Sequence, residues 1–386
     1  MTSGRLPPLA AGLLTCALAV FARAAAGDAA GRARVQIAIV RQASSARIVP
    51  DGGVALVAPE KAAKPLEWKG ELRLKPREGG LRLADLNLKS ETRLVPGAGA
   101  RVKVDGNYYR GALILRLDPG QTVTVIEEIP LEDYLEGVLP HEMDPNWPLE
   151  SLKAQAVVAR TFAYANMGKF RKDGFDLTAD TRSQVYRGLT LVNENVRAAV
   201  RQTRGEVLGY NGKLMRVYYH ACCGGATTDA GAAWGSEGES LRPLKGVKDP
   251  WCRASPHMSW SAYFTWADLT AAIAERHALT GPLRGLRISA RDAAGYVREF
   301  LAKTSGGTTG VRAADLRTAL GAGEMKSVRI RDLAVRKKGV EFFGSGLGHG
   351  VGLCQWGARL QADTGRDYDQ ILRFYFPGAT LSEVDE

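Results

Sequence analysis

The feature that most constrains this chain is a change of hydrophobic period along its first half. In Gly111-Ala112-Leu113-Ile114-Leu115-Arg116-Leu117, residues Leu113, Leu115 and Leu117 share one face of a strand. Gly and Pro punctuate the chain from about Ala33 to Glu127, and the run Val35 to Val40 alternates in part, so this region reads as strand-rich. From Pro130 the period lengthens: Leu131, Tyr134, Leu135 and Val138 line one face of a helix, which Pro140 is expected to stop. His141 to Pro148 then reads as a stiff loop held by its prolines and Trp147. The clearest helix runs from about Leu149 to Ala165, with Glu150 in the first turn, where the helix dipole favours a negative charge. Leu149, Leu152, Ala156, Phe162 and Ala163 supply its buried face. Strands followed by helices predict an α+β chain, with a small β-rich N-terminal domain over 33–127 and a larger mixed helix and sheet domain over 128–386.

Later elements follow the same rules. Glu194 to Gln202 reads as a helix stopped by Gly205. Asn211-Gly212, between Glu206 to Tyr210 and Lys213 to His220, is a strong hairpin signal. A helix after Thr265, a strand around Leu286 to Ile288, a helix over Ala313 to Leu320 and a hairpin at Lys337-Lys338-Gly339 come next. A glycine-rich loop, a helix from about Leu353 and a helix near Tyr368 to Phe374 close the chain.

The first 26 residues read as an export signal: Arg5, then an apolar stretch from Leu9 to Phe21, then Ala22-Arg23-Ala24-Ala25-Ala26. The stretch is shorter than the roughly 20 residues of a spanning helix, so no integral membrane span is expected after cleavage. Cys16 leaves a lipoprotein as the lesser reading, with Thr15 a poor fit before it. An exported chain belongs in the periplasm or cell wall. Its formal charge of +11, less Arg5 and Arg23, becomes +9. That suits an anionic wall or membrane surface. Lys and Arg are scattered and no binding module is present, so nucleic acid is not an expected partner.

Three stretches can carry chemistry. In Val138-Leu139-Pro140-His141-Glu142-Met143, a carboxyl group on a rigid segment before a packed helix can be aimed, and apolar neighbours Met143 and Trp147 would raise its pKa toward that of a general acid. In Ser345 to Ala358, glycines allow close backbone approach, His349 and Gln355 can line a groove for a polar chain, and Trp356 can stack on a sugar ring. The loop lacks the Lys-Ser/Thr ending of a phosphate-binding loop, which excludes nucleotide binding by that route. The third stretch is His220-Ala221-Cys222-Cys223-Gly224-Gly225 with Asp249-Pro250-Trp251-Cys252. Here a disulfide from Cys222 or Cys223 to Cys252 is preferred, since vicinal cysteines join only with strain and export favours oxidation. Zinc held by some of His220, Cys222, Cys223 and Cys252 is the alternative. A cysteine-based enzyme using Cys354 and His349 is a remoter reading.

In this order, the stretches resemble the stage II sporulation protein D family, also called the SpoIID/LytB or amidase-enhancer family. The matching text is Leu131-Glu132-Asp133-Tyr134-Leu135-Glu136-Gly137-Val138 and His141-Glu142-Met143. Trp147-Pro148, Leu152 to Thr161, Asp180 with Gln184-Val185-Tyr186-Arg187-Gly188, Cys223-Gly224-Gly225 and Gly348-His349-Gly350-Val351-Gly352 continue it. It covers roughly Ile129 to Leu381. The resemblance implies a domain with an open substrate groove. It implies a lytic transglycosylase acting on peptidoglycan glycan strands stripped of stem peptides, with Glu142 as the single catalytic carboxyl. Asp144 and Asp180 are the candidates for a second one. His141, Arg160, Gln184, Tyr186, His349, Gln355 and Trp356 are the candidate substrate contacts. It also implies a rival role, a non-catalytic glycan binder that enhances a separate N-acetylmuramoyl-L-alanine amidase. Some members bind zinc near the site, which here would fall in the His220 to Cys223 region.

Overall fold

The structure is a computed structural model; it describes residues 33–57, 64–66, 70–235 and 241–384. The expected export signal, 1–26, lies outside the described residues. Helices and several sheets mix along the chain, as an α+β chain requires.

Twelve strands fill Arg34–Ala43 through Thr122–Pro130. They form most of a seven-stranded sheet and all of a six-stranded one. Inward positions alternate with outward ones, as in Ala46–Asp51 and Leu72–Arg77. The strand Thr122–Pro130 pairs antiparallel with Arg34–Ala43 on one side and with Ala112–Asp118 on the other. It leads without a linker into helix α1, Leu131–Glu142. Helices α2, Leu149–Asn166, and α3, Glu194–Gln202, follow. One apolar cluster joins Val35, Leu94 and Val125 of the strands to Tyr134, Leu152 and Val200 of the helices. The expected division at 127/128 falls inside the strand Thr122–Pro130, within this shared core.

Pro140 does not stop α1. The helix carries it in its last turn and ends at Glu142, and the Met143 N–H bonds back to the Leu139 carbonyl. A proline so close to the end gives up one backbone hydrogen bond, and buried Leu135, Val138 and Leu139 hold the turn in place. Glu142 therefore sits on a helix end rather than on a loop.

Asn211 and Gly212 adopt positive φ, 52° and 71°, as a tight hairpin between Glu206–Tyr210 and Lys213–Leu214 requires. The second strand is shorter than expected. Tyr219–His220 instead pairs in parallel with Leu353–Cys354 and carries its side chains beside the glycine-rich loop. Helix α4, Ala230–Trp234, follows. Residues 260–344 build two three-stranded sheets with helices α5, Trp266–Ala274, and α6, Ala313–Leu320, around their own apolar core. Helices α7, Gln355–Asp363, and α8, Tyr368–Tyr375, pack on α2.

Candidate active site

The end of α1, the segment Thr181 to Val185, the strand Tyr219–His220 and the glycine-rich loop meet around a cleft of about 1020 Å³. Glu142 faces it. Its Oε1 accepts a hydrogen bond from the Val185 N–H at 2.9 Å. Burial pushes its pKa up to about 7, against the opposing effect of the Val185 N–H and the Tyr219 hydroxyl, both of which favour the carboxylate. Tyr219 is itself held: Gln184 Nε2 donates to its hydroxyl at 3.3 Å, and Gln184 Oε1 accepts from Tyr134 at 3.2 Å. A chain of three side chains thus fixes the carboxyl.

Glycines shape the opposite wall. Gly348 has φ +109°, and a Cβ there would come within 2.7 Å of the His220 Cβ. Gly352 has φ +73°, and a Cβ there would come within 2.1 Å of the Tyr218 carbonyl oxygen. His349 lines the cleft. Its Nδ1 accepts from the Val351 N–H at 3.1 Å, so a neutral ring carries its proton on Nε2. Burial lowers its pKa to about 3, so it is a neutral group and not an acid near pH 7.

The other expected contacts go elsewhere. Arg160 is fully buried; its guanidinium makes a two-pronged ion pair with Glu132, both bonds 2.7 Å, and bonds the Glu206 carbonyl. Tyr186 is buried with its hydroxyl on Glu127 at 2.5 Å. Gln184 is buried and reaches the cleft only through Tyr219. Gln355 is buried against Gln155. Trp356 packs edge-on against Trp147 with Arg359 over its ring, outside the cleft lining. His141 is half-buried, with Nε2 at 3.2 Å from the Thr190 carbonyl. These residues serve the frame because each polar group at depth must find a partner, and those partners are protein atoms. Of the expected set, only Glu142 and His349 line the cleft.

The cleft also uses residues the sequence did not single out. Trp234 lies 5.2 Å from the His349 ring and 4.5 Å from Tyr218, forming an aromatic wall. Lys169, Arg182, Arg216 and Arg317 add positive charge. Among the described residues that line the cleft, Glu142 is the single carboxyl group. Asp180 is tied to Arg182 at 2.5 Å, which holds its pKa well below the carboxylate range. Asp144 is exposed and accepts from Asn146.

Cys222, Cys223, Cys252 and Cys354 stand as free, buried thiols. The zinc set expected from sequence is not brought together: His220 joins no ligand group among the described residues, its Nδ1 facing the Val351 carbonyl at 3.1 Å and its buried Nε2 having no hydrogen-bond partner among them. The atoms that do converge belong to Cys223, Asp249, Cys252 and Cys354.

Comparison with known proteins bears on this arrangement. The family described as Stage II sporulation protein matches residues 119–210, the span from the strand Thr122–Pro130 through α1, α2 and α3 to the first hairpin strand. The chain is 34% identical to an uncharacterised protein of Brachyspira hyodysenteriae over 285 residues, 73% of this chain and 74% of that protein. It is 31% identical to the amidase enhancer of Bacillus subtilis over 364 residues, covering 81% of this chain but only 50% of the enhancer. It is 28% identical to stage II sporulation protein D of Bacillus subtilis over 283 residues, 67% of this chain and 76% of that protein. The chain belongs to the stage II sporulation protein D family, which includes the amidase enhancer.

Proposed function

We propose that this protein is an exported lytic transglycosylase that cleaves peptide-free glycan strands of peptidoglycan in its cleft. One observation carries the reading: among the described residues the cleft is lined by a single carboxyl, Glu142, whose pKa near 7 lets it hold a proton in neutral solution and give it up again. Most glycosidases need two carboxyl groups at a set separation. One suffices when the substrate supplies its own nucleophile. Glu142 protonates the glycosidic oxygen and the bond to the muramic acid anomeric carbon breaks. The carboxylate then takes the proton from that sugar's 6-hydroxyl, whose oxygen closes a 1,6-anhydro ring. The proton is returned and no water is consumed. Tyr219 and the Val185 N–H orient the carboxyl, and Trp234 offers a sugar ring an apolar face. Lys169, Arg182, Arg216 and Arg317 suit the free lactyl carboxylates of a strand without stem peptides.

The name of the amidase enhancer supports a second reading, a glycan binder that assists a cell-wall amidase. Glu142→Gln separates the two. Under the first reading the variant binds denuded strands in a sedimentation assay and forms anhydromuramoyl ends at least about 100-fold more slowly than wild type. Wild type that binds strands, forms no such ends and accelerates an added amidase overturns the first reading and favours the second.

A further inference from the structure

We infer that the cleft continues past Trp234 and Arg317 into a second chamber, where a further muramic acid unit of the same strand is held with its lactyl carboxylate on Arg298 and Arg317. The inference rests on glycan as the occupant of the cleft and adds where the strand goes beyond it. The chamber, about 310 Å³, lies against α4, α6 and the strand Val297–Thr304. That volume is near the lower end of the roughly 300–1,000 Å³ of small-ligand sites, the scale of one substituted sugar and not of a strand. Trp234, Arg317, Gly348 and His349 line both the cleft and the chamber, so the two spaces share a wall. A linear polymer lying along that wall in the cleft is led by it into the chamber.

The lining has the mix that a sugar requires. Ala233, Val297, Val328 and the Trp234 ring give a ring face apolar contact. The acids are already engaged. Asp292 accepts from the Thr228 hydroxyl and from the Ala294 and Tyr296 N–H groups, and Glu299 accepts from the Ser289 hydroxyl. The cations are freer. Arg298 is half-buried and, among the described residues, has no hydrogen-bond or ion-pair partner. Arg317 donates from Nε and Nη2 to the Met325 and Lys326 carbonyls at 3.0 and 3.1 Å, and no carboxylate among the described residues pairs with it. Half-buried guanidinium groups have lost water without gaining a counter-charge, and an anion held between them offsets that loss. The planar fork of Arg matches a carboxylate in particular. In a peptide-free strand every second sugar carries such a group, whereas a stem peptide turns it into an uncharged amide.

The consequence is a dependence on strand length. A fragment too short to reach from Glu142 into the chamber gains nothing from Arg298, and a longer one does. The chamber therefore belongs to binding and selection and stands apart from the proton transfer at Glu142.

The test measures binding by the whole chain in the Glu142→Gln background, by calorimetry with peptide-free glycan fragments sorted by length. Affinity should rise with length and then level off. Adding Arg298→Ala should lower the affinity for long fragments about tenfold, the scale of a lost hydrogen bond to a charged group. The same substitution should make little difference to fragments whose carboxylates are methyl-esterified. Thr318→Trp, at an exposed position of the chamber lining, fills the space instead of changing its charge. It should weaken long fragments by a similar factor and leave disaccharides unchanged, and denaturation midpoints check that both variants fold. Long fragments that bind both variants as tightly as the parent overturn the inference. So does an Arg298→Ala loss that is equal for native and esterified fragments. Wild type that forms no anhydromuramoyl ends while the length dependence holds overturns the transglycosylase reading and leaves the chamber standing. Fragments of every length failing to bind overturn both.

Discussion

Glu142 owes its proton affinity to where α1 ends: far enough inside the frame to lose water, close enough to the cleft to meet a ligand. An acid with a pKa of about 7 is progressively ionised above neutrality. The first step needs the protonated form, so the rate of strand cleavage should fall about tenfold per pH unit above about pH 7. Tyr219→Phe removes a hydroxyl that favours the carboxylate, so the falling limb should move to higher pH while strand binding changes little. A pH–rate profile of both proteins checks this. Arg160 gives the opposite lesson. Its place in a motif suggested contact with substrate, yet the residue that decides its role, Glu132, lies 28 positions earlier and meets it only in the folded state. Arg160→Ala should cost about 3–5 kcal/mol in chemical denaturation, because the large buried side chain is lost from the core and the half-buried Glu132 carboxylate and the Glu206 and Val200 carbonyls lose its guanidinium. Burial of this kind is not written in local spacing, which is why Tyr186, Gln355 and Trp356 were also expected in the cleft.

At the level of elements, much was legible. The helix Glu194–Gln202, the Asn211-Gly212 turn and the helix Ala313–Leu320 ending at Gly321 follow from caps, turn chemistry and period, which are local properties. The end of α1 was not, because the penalty of Pro140 is set by how few residues follow it and how well they pack. The short strand Tyr219–His220 was also illegible: it pairs with Leu353–Cys354, more than 130 positions later. That pairing seats Tyr219 beside Glu142 and the glycine-rich loop opposite. Gly352→Ala tests it. A Cβ at φ +73° would be driven into the Tyr218 carbonyl, so stability should fall by about 1–3 kcal/mol. Gly365→Ala, also at positive φ but with nothing within 4 Å, should cost less. Denaturant midpoints of the two variants give the comparison.

Across the described residues, burial has raised two carboxyl groups, Glu127 and Glu142, to about the same point. Glu127, fully buried with Tyr186, Gly111 and Arg110 as donors, reaches a pKa of about 7, as does Glu142. Both values exceed the 4.5 of a free glutamate. Between about pH 4.5 and 7 the folded state therefore binds more protons than the unfolded one, and stability should fall as pH rises through that window. Each group contributes on the order of 3 kcal/mol. Glu127→Gln should flatten the fall, seen as a smaller change of denaturation midpoint between pH 5 and pH 7; an unchanged slope would contradict the buried acid. The change of period at Pro130 announced that strands precede helices. It could not announce that both share one core, which is what carries a stiff strand straight into α1 and sets the carboxyl at the cleft.

The most direct measurement is the fate of water in the reaction on peptide-free glycan strands. Run in heavy-oxygen water, the wild-type protein should release fragments with anhydromuramoyl ends and no heavy oxygen, and Glu142→Gln should release none. Fragments that carry heavy oxygen at a reducing end, or equal cleavage by the variant, would contradict the account.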